Sequence, residues 1–397
     1  MLDAREMKKV LYRMKPNRHP HLASYVLSLF VLTGCGGWSG GRGPVTPSTD
    51  RDLVTSAHVT EPENNPQDRL NPGDRKDSDS EYNYDTEDAV WNYLVTRQSP
   101  LRSALSPDDR VLYLLRTAKA EENGDVVVLN RESYRVSDRI QVGRVPIALV
   151  VSADGKEVFV ANHLSDTVSV IDTATHREVK TIPVGRHPIR IAVTPSGQYA
   201  YVTNHGSDTV SILNLFTKRV EGEISVGHWP CGIVFDPEGK YAYVVHHGGQ
   251  DLAVIDTATS RVIKRIEVGK SPMGLGIMPD GEKVFVANEG SATVSVVDTA
   301  RLEVVKTYSV GEGPVEVNFS QDGETAYILH GRSDNITMID TKNDRVTATV
   351  PVGHFPNSMT MTTNGRFIYI THEGQEDVAL FDIDQKRVVK QYTKVPF

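Results

Sequence analysis

The sequence has only two cysteines, Cys35 and Cys231, in 397 residues. That excludes a disulfide-stapled scaffold. No apolar stretch of bilayer-spanning length is evident: residues 22–33 (LASYVLSLFVLT) are an apolar run of twelve, against about 20 for a membrane helix. Basic excess is missing as well. The formal net charge is −8, the reverse of the basic face that a phosphate-backbone binder carries, so no nucleic-acid partner is expected. Catalytic signatures are also lacking. Nothing resembles a nucleophile elbow set between a strand and a helix, a P-loop, a zincin helix or a haem-attachment CxxCH, and the pattern assigns no catalytic residue.

What is present begins with an address. Residues 8–18 (KKVLYRMKPNR) are basic, the apolar run follows, and Leu32–Cys35 reads LTGC. A basic region, a short apolar region and small residues at the cut describe a secretory signal, and the tetrapeptide resembles the bacterial lipobox. Residues 1–34 are therefore expected to be a lipoprotein signal peptide, with Cys35 the lipidated first residue of the mature chain. Gly36 and Gly37, with no Asp after the Cys, resemble outer-membrane sorting in Gram-negative bacteria. The expected location is extracytoplasmic and lipid-anchored at the outer membrane, on its periplasmic or surface face.

Residues 36–95 hold twelve Asp/Glu against five Lys/Arg. Residues 35–86 are rich in Gly, Ser, Pro, Asn and Asp. Such a composition cannot bury enough apolar surface to offset its ordering entropy. The segment reads as a disordered acidic tether, with an r.m.s. reach of about 40 Å.

From residue 87 onward the chain repeats. Val–Gly occurs at 142–143, 184–185, 226–227, 268–269, 310–311 and 352–353, each copy 42 residues after the last. Three residues beyond each of these glycines stands a proline: Pro146, Pro188, Pro230, Pro272, Pro314 and Pro356. Next come turn dipeptides such as Asp154–Gly155 and Asn364–Gly365, where Gly supplies positive φ, and then Asx residues such as Asp172 and Asn214 that open a further turn. Between the turns lie four Val/Ile/Tyr-rich runs, in one copy IALVVS (147–152), EVFVA (157–161), TVSVID (167–172) and EVKTIPV (178–184). Four strands joined by short loops in a period of about forty make one propeller blade. A worn copy at 96–141 brings the total to seven, so residues 87–397 are read as an all-β, seven-bladed propeller of four-stranded antiparallel blades. Closure has two candidates: RVVKQYT (387–393) as the outer strand of the last blade, or AVWNYLV (89–95) competing for that place.

The stretches YVTNHGSDTVSI (201–212), FVANHLSDTVSVIDTAT (159–175) and FVANEGSATVSVVDTA (285–300) resemble the YVTN-repeat β-propeller family. The likeness implies a fold and little about function. Members include surface-layer-like and periplasmic proteins, and related propellers carry redox cofactors in nitrous oxide reductase, haem-d nitrite reductase and the amine dehydrogenases. A third, weaker option is a lactone- or organophosphate-hydrolysing propeller, which would need buried carboxylates gathered around calcium; the acidic residues here do not converge so clearly.

The histidines do recur in register. Counting each repeat from the valine of its Val–Gly, position 3 holds His228 and His354, and position 4 holds His187. Position 21 holds His246, His330 and His372, and position 22 holds His163, His205 and His247. In an antiparallel meander positions 3–4 and 21–22 share one face, so a ring of imidazoles is expected around one mouth of the channel, with His176 on the opposite face. Imidazole ligates Cu, Zn and haem iron, and those are the candidate cofactors. Arg116, Glu289 and Glu373 are placed at the same mouth, with Arg190 and Glu316 on the innermost strand below, as candidate ligand-binding groups; arginines suit a carboxylate or propionate. Two readings stay open. One is a membrane-anchored binding module presenting its His-rich top face to a protein or small molecule. The other is a metal- or haem-binding redox or cofactor-handling protein. Cys231 occupies a repeat position held elsewhere by Ile147, Ile189, Met273 and Val315 and reads as a small buried residue.

Overall fold

A computed structural model of the chain describes residues 100–118, 121–373 and 377–393. The chain divides between Tyr82 and Asn83 into two units, and every described residue belongs to the second. The signal peptide, Cys35, the tether and residues 89–95 lie outside the described residues.

Seven four-stranded antiparallel sheets are present, each with its strands in sequence order. We number them as blades 1 to 7: residues 100–144, 146–183, 188–225, 230–267, 272–309, 314–351 and 356–393. In blade 2 the strands are Pro146–Val151, Glu157–Asn162, Thr167–Asp172 and Arg177–Pro183. The first strand of each blade packs beside the first strands of its neighbours, so these seven line the axis. The second and third strands are buried along almost their whole length, as in Phe159, Val160, Val168 and Val170. Their side chains interlock with the next blade: Phe159, Val168 and Val170 of blade 2 share a cluster with Ala200, Val202 and Leu213 of blade 3. Each such side chain contributes about 1.5–3 kcal/mol when fully buried. A single blade would expose both apolar faces, so the blades are stable only as a ring.

The fourth strand is the outer edge and carries the charge, as in REVKTIP (177–183) and RVIKRIE (261–267). In all seven blades the pairing of the third and fourth strands slips by one residue, for example between Val170 and Ile171 and between Leu380 and Phe381. Charge and a bulge on an exposed edge both discourage pairing with another chain.

Arg387–Thr393 pairs within blade 7 and supplies its outer strand. Among the described residues no strand crosses from one terminus into the other's blade, and blades 1 and 7 meet through side chains. Leu112, Leu114, Val127 and Leu129 of blade 1 pack on Tyr369, Val378 and Leu380 of blade 7. Asp109 Oδ2 accepts from the Thr363 amide (2.9 Å) and hydroxyl (2.7 Å). Arg131 Nε donates to the Tyr369 hydroxyl at 2.9 Å.

The repeated Val–Gly has a steric cause. A Cβ on Gly143, Gly185 or Gly269 would come within 2.5–2.7 Å of the Asn side chain at position 21 of the same 42-residue repeat, on the blade that follows the glycine. On Gly353 it would lie 2.7 Å from His372 Nε2. Glycine at position 2 and the large polar side chain at position 21 therefore go together.

Candidate functional site

Positions 4 and 22 adjoin, because the amide of position 22 donates to the carbonyl of position 4: His163 to Val145, His205 to His187 and His247 to Trp229, each at 2.9 Å. The histidines do not form one ring, however. They fall into three sets with different surroundings.

At position 21, His246, His330 and His372 are fully buried at the end of the second strand. They occupy the place of Asn162, Asn204 and Asn288, whose side-chain amides donate to Ser169, Ser211 and Ser295 at 2.8–2.9 Å. His330 holds the same place, with Nδ1 donating to the Gly311 carbonyl (3.0 Å) and Nε2 accepting from the Thr337 hydroxyl (2.9 Å). His372 Nε2 donates to Val352 O at 3.0 Å, while its Nδ1 lies 2.7 Å from Asp377 Oδ1. His246 Nδ1 lies 3.3 Å from Asp251 Oδ1. Burial of Asp251 and Asp377 opposes ionisation, but the histidine beside each, with Arg265 or Gln391, outweighs it and lowers both carboxyl pKa values. Arg116 stands at this position in blade 1 and is joined to Asp125, with Nε to Oδ1 at 2.9 Å. These side chains tie the second strand to the third and to the preceding connection, and they are internal bracing.

At position 3, His228 and His354 are exposed. Asp208 and Asp334 reach them at 3.3 and 2.6 Å. The other carboxylate oxygens of those aspartates accept the backbone amides of Trp229 (3.0 Å) and Phe355 (2.9 Å).

The third set is the candidate site. Position 4 adopts positive φ in six connections, at Val145, His187, Trp229, Ser271, Gly313 and Phe355. A non-glycine residue held there costs on the order of 1 kcal/mol. The position-22 amide holds it in place in all six, and an aspartate also accepts its amide at His187, Trp229 and Phe355. The conformation sets the position-4 side chain on the position-22 side chain of the preceding blade. His187 stacks on His163 with centroids 4.7 Å apart, and Trp229 stacks on His205 at 5.2 Å. Trp229 also stacks against His228 at 4.6 Å and His247 at 6.4 Å. The row continues in carboxylate and guanidinium: His247 Nε2 lies 3.6 Å from Glu289 Oε2, and Arg332 donates to Glu289 Oε1 at 2.8 Å. Gly313 is glycine because a Cβ there would lie 2.7 Å from Arg332 Cγ. Glu373 completes the position with its amide on Phe355 O at 2.8 Å.

Burial first, then the neighbouring His187 and His205, lower the His163 pKa to about 3. Burial lowers that of His330 to about 4. Both rings are neutral at pH 7. Cys231 is buried and free, and burial pushes its thiol up to about 12, so it is no nucleophile.

Position 7 lies three residues further down the inner strand, about 10 Å. Arg102 of blade 1 donates to Glu316 of blade 6 at 3.3 Å, and Glu316 Oε2 accepts the Met359 amide at 2.8 Å. Arg190 of blade 3 donates to its neighbour's carbonyl, Ile189 O, at 3.3 Å. Its pKa falls to about 9, through burial and then Arg102, with Glu316 opposing. It lies deep in the molecule yet keeps some accessible surface, because it opens on the axis. Glu316 is thus paired with Arg102 and acts on Arg190 at longer range; the shared repeat position puts all three on the inner strands, and the structure shows which two meet across the ring.

Among the described residues no three His, Cys, Asp or Glu side chains are grouped to hold a metal ion. The site's chemistry is that of stacking surfaces and fixed charge.

The family model described as "Lactonase, 7-bladed beta-propeller" matches residues 94–344 and, in an overlapping register that a repeat permits, 265–394. No curated protein matches the chain. Among solved structures the chain is similar to hydrazine synthase of Kuenenia stuttgartiensis, with TM-score 0.65 and 21% identity over 72% of this chain and 96% of that one. At that identity the likeness speaks for the fold alone.

Proposed function

Because the chain belongs to the lactonase family of seven-bladed β-propellers, we propose that it is a binding module that takes a small organic anion at the top mouth of the ring. One observation carries the reading: the stacked pairs His163–His187 and His205–Trp229 belong to the mouth, and on the inner strands below them Arg102 is paired with Glu316 while Arg190 has no carboxylate in contact among the described residues. A planar ligand would stack on indole and imidazole, and its carboxylate would be drawn to the guanidiniums below. Exposed Phe355 extends the apolar rim. The lipobox-like LTGC and the acidic segment after it support a lipid anchor at the outer membrane, holding this module outside the cytoplasm.

Two of the buried imidazoles, His163 and His330, are unsuited to act as a general base. A general base working near neutrality needs a pKa near there, and His163 and His330 lie at about 3 and 4.

The test is Trp229 emission on titration with aromatic mono- and dicarboxylates, using Trp229→Phe to subtract Trp38 and Trp91. Saturable quenching that weakens at least tenfold in Arg190→Met is the expected result. Quenching unaffected by Arg190→Met would sink the anion site. Stoichiometric Cu, Zn or Fe in the untagged purified protein would replace this reading with the metal- or haem-binding one.

A further inference from the structure

The face opposite the mouth carries a second recurring contact. The residue at position 35 opens out of the turn between the third and fourth strands with positive φ in every blade: Tyr134, His176, Lys218, Ser260, Leu302, Asp344 and Lys386. It meets the previous blade, whose outer strand presents position 39. The seam between blades 1 and 2 is filled by Asp138 and His176, 3.2 Å apart. Between blades 5 and 6, Lys306 lies over the Tyr308 ring at 4.6 Å and donates to the Asp344 carbonyl at 2.9 Å. Between blades 7 and 1, Lys390 lies over Tyr134 at 4.2 Å and Arg131 over Tyr369 at 5.1 Å. Between blades 2 and 3, Lys218 lies over Phe159 at 5.2 Å and pairs with Glu157. Three of these four seams set a cation on an aromatic ring.

Between blades 3 and 4 the two positions are Gly222 and Ser260. Neither supplies a cation, and a cleft of about 560 Å³ stands open there, with no Lys or Arg in its lining. The walls hold the partly exposed ring of Tyr199, the buried Tyr201 with its hydroxyl bonded to Ser260, and the exposed carboxylates of Glu221, Glu223 and Glu238. Asp256 adds negative potential at the Tyr201 hydroxyl. A Cβ on Gly222 would meet Ile212 Cδ1 at 3.3 Å, so the missing side chain is not forbidden by a hard clash with backbone.

We propose that this cleft binds a small aliphatic polyammonium cation. An ammonium group would sit in the seam where three sibling seams hold their own lysine or arginine, beside the Tyr199 ring and among the carboxylates. The volume, within the range of small-molecule sites, suits an extended diamine or triamine better than a single ammonium ion. The site lies on the opposite face from the anion site and is independent of it.

The experiment is isothermal titration of the full chain with spermidine at low and at physiological ionic strength, with 1,6-hexanediol as the uncharged control. Spermidine is expected to bind saturably at one site and hexanediol not at all. Gly222→Lys, which supplies the cation from within, is expected to weaken spermidine at least tenfold. Glu221→Gln/Glu223→Gln is expected to do the same while leaving the cleft open, and Gly222→Ala to leave affinity within threefold. If Gly222→Lys does not give a cooperative melt, the double Gln variant decides alone. Binding that is unchanged in the variants, or that never saturates, would overturn the proposal and reduce it to diffuse attraction by an acidic protein.

Discussion

Lowering the pH from 7 to 5 should destabilise the propeller through two buried imidazoles, and one of them can be removed without disturbing its blade. His163 and His330 are fully buried, with pKa values of about 3 and 4, whereas an unfolded chain protonates histidine near 6.5. The folded state therefore resists a proton that the unfolded state accepts. Stability is whole above pH 6.5 and is lost as pH falls from there toward the folded value. By linkage the loss between pH 7 and 5 is about 2 kcal/mol for each ring, or roughly 4 kcal/mol together, a large share of a typical folding free energy of about 5–15 kcal/mol. His330→Asn restores the residue that blades 2, 3 and 5 use at that position. Thr337 offers its hydroxyl where they offer Ser169, Ser211 and Ser295, so the variant should fold. Urea unfolding at pH 7, 6 and 5 should show His330→Asn losing about 2 kcal/mol less than the parent. Equal losses in the two proteins, or a parent whose stability is flat over this window, would refute the account of His330 as a buried neutral ring.

Three further outcomes are expected. Gly185→Ala would force a Cβ to 2.5 Å from Asn204 Nδ2; overpacking of this kind costs about 1–3 kcal/mol, which thermal unfolding would register as a lower Tm, and an unchanged Tm would remove the steric account of the repeated glycine. Asp109→Ala takes away both bonds to Thr363 at the closing seam, so amide exchange should quicken in blades 1 and 7 and leave blades 3 to 5 as they were; uniform quickening would mean that the seam is not where the ring opens. Arg190→Met replaces a buried guanidinium by an apolar chain, and such replacements are often neutral or stabilising; Tm should hold or rise while the affinity for carboxylates falls, and a marked loss of stability would show Arg190 to be a structural residue.

Much of the fold was legible because the repeat is regular. Spacing of 42 residues, prolines in register and turn glycines at fixed places are local properties, and each maps on a strand or a turn of the observed blades. Gly155 through Gly365 take the positive φ that their turns require. That the connection between blades adjoins the turn after the second strand follows from alternating strand direction, and the bonds between positions 4 and 22 join the two. The grouping of histidines was less legible. Positions 21 and 22 are adjacent in sequence, yet a strand turns successive side chains to opposite sides, so His246 braces its own blade while His247 joins the stack. Arg116 looked like a ligand group and is committed to Asp125, a pairing visible only once the second and third strands are in register.

By itself the sequence determined the blade: four short strands, their turns, the edge that bears charge, and the number of copies. These depend on residues within about forty of each other, where turn chemistry and alternation act. Tertiary structure alone decided what lies between copies. Trp229 came to rest on His205, Arg102 crossed to Glu316, and Gly222 left one seam open, because each of these depends on how far one blade leans on the next. That distance is set by the summed packing of the closed ring and is encoded in no single repeat.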